Sequence, residues 1–169
     1  MLTERKKKMA LREIRIFGDP ILEKPCREVK EMTPRIRELI IDMYETMYEA
    51  CGVGLAAPQV GVLRRICVID VADGNRYTLI NPVIVSTDGE QTGDEGCLSF
   101  PGKAGKVTRP NHVVVEAYDI DMNKITVEGE GLLARALCHE IDHLDGHIYT
   151  EKVEGEVFDV NQDEEEEED

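Results

Sequence analysis

The chain contains no tryptophan, and its aromatic residues amount to 5%: three Phe and five Tyr. An interior so poor in rings has to be filled by aliphatic side chains, and a hydrophobic content of 41% supplies them. No apolar stretch approaches the ~20 residues that cross a bilayer as a helix, and no secretory apolar core follows the N-terminus. A membrane-spanning or exported protein is therefore not expected. Basic residues are in deficit, with 20 Lys and Arg against 35 Asp and Glu, for a formal charge of −15. That balance opposes phosphate contacts and argues against nucleic acid as a partner. Seven of the negative charges fall in the terminal run Asp163–Asp169, which leaves an acidic but ordinary body. Five cysteines at irregular spacing make no disulfide framework and point to a reducing cytoplasm. There are no internal repeats, and 169 residues suit one domain with a real core.

Against this background stands the run Cys138-His139-Glu140-Ile141-Asp142-His143-Leu144-Asp145-Gly146. On a helix, His139 and His143 project from one face about a turn apart and can share one metal ion. Glu140 can then take a proton from water activated at that ion. Two imidazoles need at least one more protein ligand, and the best candidate lies upstream in Glu95-Gly96-Cys97-Leu98-Ser99. Cys97 precedes His139 by enough chain for an intervening pair of strands. A thiolate and two imidazoles leave the fourth tetrahedral position open, as a catalytic site requires. A third block, Gly52-Val53-Gly54-Leu55-Ala56-Ala57-Pro58-Gln59, joins flexible backbone to a polar amide. It can lie beside an extended substrate and direct Gln59 at a developing oxyanion.

These blocks, in this order, resemble the peptide deformylase family, which is marked by G-x-G-[LI]-A-A-x-Q, E-G-C-L-S and H-E-x-D-H-L-x-G segments. Ile16-Phe17-Gly18-Asp19-Pro20-Ile21-Leu22 is similar to the family's opening strand and turn, and Ile80-Asn81-Pro82 to the segment ahead of its cysteine block. The likeness runs from about Met9 to about Thr150. Two departures stand out: Cys138 replaces the Gln that many members carry, and the chain ends in acid instead of a basic helix. The resemblance implies hydrolysis of the N-formyl group on the first methionine of newly made polypeptides, releasing formate. It implies one divalent ion, Fe2+ as the native metal with Zn2+, Ni2+ or Co2+ as substitutes, held by Cys97, His139 and His143. Glu140 is the expected general base, and Gln59 with the backbone N–H of Leu98 the expected oxyanion donors. Substrate should lie extended along Val53 and Gly54, its methionine side chain entering a pocket made partly by Leu132, Ala136 and the stem of Arg135. Transient ribosome contact is a further implied partner, put in doubt by the acidic tail.

Thr33 before Pro34 predicts a helix start, and Ile36, Leu39, Ile40, Met43 and Met47 continue with helical period to Gly52. Arg35, Arg37, Glu38, Asp42 and Glu45 are read as its outward face. Strands are predicted at Arg65–Asp70, Tyr77–Ile80 and Val83–Ser86, and a hairpin pairs Val113–Tyr118 with Ile125–Val127. Leu132–Leu144 is the second long helix. The fold class is α+β: mostly antiparallel sheets packed around a central helix carrying the HExxH motif, plus an N-terminal helix. The organisation expected is a basic leader at 1–8, a single catalytic domain at 9–153 and a disordered acidic tail at 154–169. Glu95 reads either as support for a ligand or as a strand-end charge, and Arg109 either as the partner of a carboxylate near the site or as an exposed residue. Cys26, Cys51, Cys67 and Cys138 read as packing, His112 and His147 as surface. Two other functions fit parts of the pattern. One is a cysteine hydrolase with Cys97 as nucleophile, which would not need two helical histidines around a Glu. The other is a peptide-binding module with a closed structural metal, for which no fourth ligand is evident.

Overall fold

The structure, a computed structural model, describes residues 10–160. The leader expected at 1–8 and the tail from 161 onward lie outside the described residues. The architecture is α+β, with two antiparallel sheets and two long helices: α1 (Pro34–Glu49) and α2 (Gly131–Leu144). Strands β1 (Gly54–Ala56), β2 (Ile66–Ile69), β3 (Tyr77–Asp88), β6 (His112–Tyr118) and β7 (Lys124–Glu130) form a five-stranded sheet in the order β1-β2-β3-β6-β7. Strands β4 (Gln91–Cys97), β5 (Phe100–Arg109) and β8 (Val153–Asp159) form a three-stranded sheet.

α1 begins where the Thr33 hydroxyl accepts the Ile36 N–H at 3.2 Å, with Pro34 at the first helical position. Its buried stripe of Leu39, Ile40, Met43 and Met47 packs on one face of β1 and β2 against Leu55, Ile66 and Val68. α2 covers the other face, where Leu133, Leu137 and Ile141 meet Ile69, Leu79 and Val115. The short strands β1 and β2 are thus covered on both sides, so they read as unbroken apolar runs. Each aliphatic side chain fully buried there contributes about 1.5–3 kcal/mol.

Several expectations are corrected. Asp42, read as outward, is buried: its carboxylate accepts from Arg12 Nε at 3.1 Å, and the Arg12 backbone N–H bonds Thr46 Oγ1. The leading segment covers that side of α1, which a helical wheel cannot reveal. Tyr77–Ile80 and Val83–Ser86 form one strand, broken in register at Asn81, which has φ 51. The Asn81 amide bonds both N and O of Val29 at 2.8 Å, clamping the incoming chain to the sheet. The opening segment makes a turn at Pro20–Glu23 but no strand. Glu154–Asp159, assigned to a disordered tail, belong to β8 and pair with the edge of β5, with Val153 and Val157 turned half inward. Backbone pairing at an open sheet edge outweighs the acidic composition there, because the carboxylates stay solvated. Cys51 is exposed at the end of α1 with φ 56, so it is not a packing residue.

Candidate active site

α2 is buried over most of its length, with His139 and His143 one turn apart and Glu140 beside them. It ends against Gly146, whose φ of +81 turns the chain, and a Cβ there would lie 2.7 Å from the Glu23 carbonyl. That close approach accounts for the glycine closing the motif. Cys97 comes from the opposite side, at the end of β4, where a register shift between Glu95 and Cys97 re-aims the strand. Gln59 sits in a short 3-10 turn after β1. The leading segment ties these loops together: Arg15 N bonds Gln59 O, and Phe17 N bonds Ser99 O, each at 2.7 Å.

The donor atoms of Cys97, His139 and His143 lie within 4.8 Å of one another. Cys97 Sγ is 3.3 Å from His143 Nε2, and the two Nε2 atoms are 3.2 Å apart. A tetrahedral ion at about 2.0–2.1 Å from nitrogen and 2.3 Å from sulfur sets donor separations of about 3.3–3.6 Å, so the cluster fits one ion. His139 Nδ1 donates to Glu95 Oε1 at 2.5 Å, which turns the lone pair of Nε2 toward the cluster. Burial opposes charge on His139, but the Cys97 sulfur and the Glu95 carboxylate hold its imidazole well above the ordinary range. Burial and the neighbouring His139 push His143 well down.

Glu95 is the hub beneath the cluster. It accepts from Arg109 Nε at 3.1 Å and Nη2 at 2.6 Å, from Arg135 Nη1 at 2.8 Å, and from His139. Burial raises its carboxyl, yet the bonds from His139 and Arg109 win and hold it well below the usual carboxylate range. Arg109 continues to Asp142 Oδ2 at 2.6 Å. Sequence reasoning missed Asp142 in this network and left Arg109 open, since their pairing depends on sheet register. It also missed Tyr149, whose ring stacks on His139 at 5.9 Å between centroids. No signal in the chain marks Tyr149. His112 and His147 pair with Glu128 and Glu151, away from the cluster.

Glu140 is buried, and Oε2 has no hydrogen-bond partner among the described residues. Burial pushes its carboxyl up to about 7, where a carboxylate can both take and return a proton near neutrality. Its Oε1 is 3.9 Å from His139 Nε2. Gln59 is locked by the Ala56 N–H, which donates to Oε1 at 2.9 Å, and its Nε2 points to Ser99 Oγ at 3.1 Å and Cys97 Sγ at 3.4 Å. A cavity of about 530 Å³ opens over Glu140 and His139. Val53, Gly54, Leu98, Leu132, Arg135 and Ala136 all lie on its walls. Val53 and Leu132 are exposed at the rim, whereas Arg135 is buried with its guanidinium on Glu95 and the Val107 carbonyl.

A buried Cys–His–His cluster under a cavity, beside a carboxylate near neutrality, on an α+β scaffold, defines the class of metal-dependent amide hydrolases. Comparison with known proteins narrows the class. The polypeptide deformylase family matches residues 11–158. Peptide deformylase of Lachnoclostridium phytofermentans is 67% identical over 162 residues, covering 95% of this chain and 99% of that protein. The enzyme of Agathobacter rectalis is 66% identical over 152 residues, 90% of this chain and 96% of its own. Among solved structures, the peptide deformylase of Synechococcus elongatus in complex with actinonin superposes with a TM-score of 0.83 at 38% identity, covering 88% of this chain and 83% of that one. The chain belongs to the peptide deformylase family, whose members remove the formyl group from the N-terminal methionine of nascent peptides.

Proposed function

We propose that this chain hydrolyses N-formyl-methionyl peptides to formate and a free N-terminal amine, using one divalent ion held by Cys97 Sγ and Nε2 of His139 and His143. The convergence of those three donors beneath a cavity that also holds the unpartnered Glu140 carboxylate is the observation that carries this reading. When bound, the ion supplies Lewis acidity, which makes water nucleophilic near neutral pH. Glu140 accepts the proton of the attacking water and passes it to the leaving amine. Gln59 Nε2 and the Leu98 backbone N–H donate to the oxyanion that forms on the formyl oxygen. Losing one such donor costs about 3–4 kcal/mol of transition-state stabilisation. Glu95, with Arg109 and Arg135, fixes the ring plane and tautomer of His139.

The substrate backbone runs along Val53 and Gly54 in strand-like fashion, and the methionine side chain enters the cavity between Leu132 and Ala136. A formyl carbon carries a hydrogen where an acetyl carbon carries a methyl group, and only the hydrogen should fit beside the ion, so acetylated termini react poorly. Ferrous iron is the native metal in this reading because the family resemblance implies it; the mixed N/S donor set selects no single ion, so zinc, nickel and cobalt can substitute. The enzyme works in the cytoplasm on nascent chains and meets the ribosome only transiently. No described helix is long and apolar enough to cross a membrane. Metal analysis of anaerobically purified protein, paired with formate release from a formyl-Met peptide, tests the proposal. Glu140→Ala should keep its metal and lose turnover by about 10²–10⁴-fold. Turnover unchanged in that variant would refute the assigned base.

A further inference from the structure

Resting on the metal site proposed above, we infer that Tyr149 is a positioning residue for the ion: its ring is the second support of His139, and the hold on the metal depends on that ring and not on the hydroxyl. After α2, Gly146 turns the chain with φ +81 and a short 3-10 turn at Tyr149–Lys152 follows, which brings the Tyr149 ring back onto His139. The two rings stack with centroids 5.9 Å apart and planes 29° from parallel, inside the range where aromatic pairs attract. Tyr149 is 1% exposed and is held in its turn: Phe100 tilts against it at 6.5 Å, and Phe17 stacks on Phe100 at 4.7 Å. The Phe17 end of this row is tied down by its backbone N–H, which donates to the Ser99 carbonyl. Cys97 packs against the buried cluster that Tyr149 forms with Leu22, Val107 and Ile148. A row of rings thus runs from the leading segment to one of the metal donors.

The need for a second support follows from how little one bond fixes. Glu95 holds Nδ1 of His139, but a hydrogen bond weakens steeply only below about 120°, and the terminal torsion of a histidine has broad wells. The imidazole keeps room to tilt, and a tilt turns the Nε2 lone pair off the ion. A near-parallel ring in stacking contact closes that freedom on one side, while His143 stands edge-on at 4.9 Å and 69°. Core packing alone does not call for a ring here. Leucine or methionine would fill much of the same apolar space but presents no flat face. Nor does the hydroxyl carry the role. It is buried with no hydrogen-bond partner among the described residues, so phenylalanine would keep the stack and shed a desolvated group.

The test measures zinc affinity by chelator competition, and the visible ligand-field spectrum of the cobalt-loaded protein, in wild type, Tyr149→Phe, Tyr149→Leu and Tyr149→Met. Tyr149→Phe should match wild type in both readouts, with a thermal midpoint no lower. Tyr149→Leu and Tyr149→Met should bind zinc about tenfold more weakly, the low end of the range for losing a support of a metal-bound histidine, and should shift the cobalt bands. Leu22→Val loosens the same cluster without removing a ring, so it should lower the thermal midpoint while affinity stays within about threefold of wild type. Affinity and spectrum unchanged in the aliphatic variants overturn the inference. A loss in Tyr149→Phe equal to theirs overturns it too, by giving the role to the hydroxyl, and an equal loss in Leu22→Val does so by reducing the ring to general packing. Where the aliphatic variants fail to fold, Tyr149→Phe and Leu22→Val decide by the same criteria. A wild-type protein that takes up no divalent ion removes the proposed metal site along with this inference, whereas a site that binds metal and ignores the ring at 149 removes the inference alone.

Discussion

Gly54→Ala is the most economical probe of the catalytic geometry. Gly54 opens β1, where it pairs with Ile69, and its backbone is not left-handed, so alanine meets no conformational barrier. What it meets is Glu140: the new Cβ would stand 2.7 Å from Oε1, 2.9 Å from Cδ and 3.0 Å from Cγ. Ordinary contact begins near 3.4 Å, so something has to move by roughly 0.7 Å. β1 is pinned between α1 and α2 by Leu55 and Ala56, which are fully buried. The carboxylate therefore gives way. A displacement approaching 1 Å in a reacting group costs about 10²-fold in rate, so kcat should fall by about 30–100-fold. KM should change by less than about threefold, since the strand keeps the N–H and C=O groups that an extended substrate would use. Metal content should stay at the wild-type level, because no donor atom is touched. Steady-state formate release with metal analysis of the same preparation reads all three quantities. A kcat within threefold of wild type at full metal content would refute the reasoning, as would loss of the metal itself.

Glu95→Gln removes the one anion shared by Arg109, Arg135 and His139, and breaking a buried ion pair from one side costs about 3–5 kcal/mol. Thermal unfolding should show that loss, and a chelator competition should show metal affinity reduced about 10–100-fold. Chelation of the wild-type protein should abolish turnover, with recovery on adding back a divalent ion; activity that survives complete metal removal would revive the cysteine-hydrolase alternative. Thr33→Ala deletes the cap of α1 and should cost about 1 kcal/mol in denaturant unfolding while leaving kcat/KM unchanged.

The residues that meet an ion or a substrate were legible because their chemistry constrains their spacing. His139 and His143 carry a helical interval, and Glu95 to Ser99 and Gly52 to Gln59 are short blocks of unusual composition. What supports them was less legible. Arg109 reaches Glu95 only because β5 runs back antiparallel to β4, and β5 itself, with Pro101, Gly102, Lys103, Gly105 and Lys106, shows no apolar alternation. β8 was hidden in the same way: Glu154, Glu156 and Asp159 look like the start of a solvated tail until an open sheet edge accepts the backbone. Asp42 sits at a helical position whose burial is decided by Arg12, thirty residues earlier. In each case the deciding contact is long-range, and local pattern carries no trace of it.

One consequence lies in where the three donors come from. Sulfur is carried by the smaller sheet, while both ring nitrogens ride on the helix seated against the larger one. Whatever ion they share is therefore a rivet between two layers of the molecule, with the Glu95 ion pairs fastened beside it. Loosening the seam between the layers, by heat or by a distant substitution, should therefore weaken the hold on the ion.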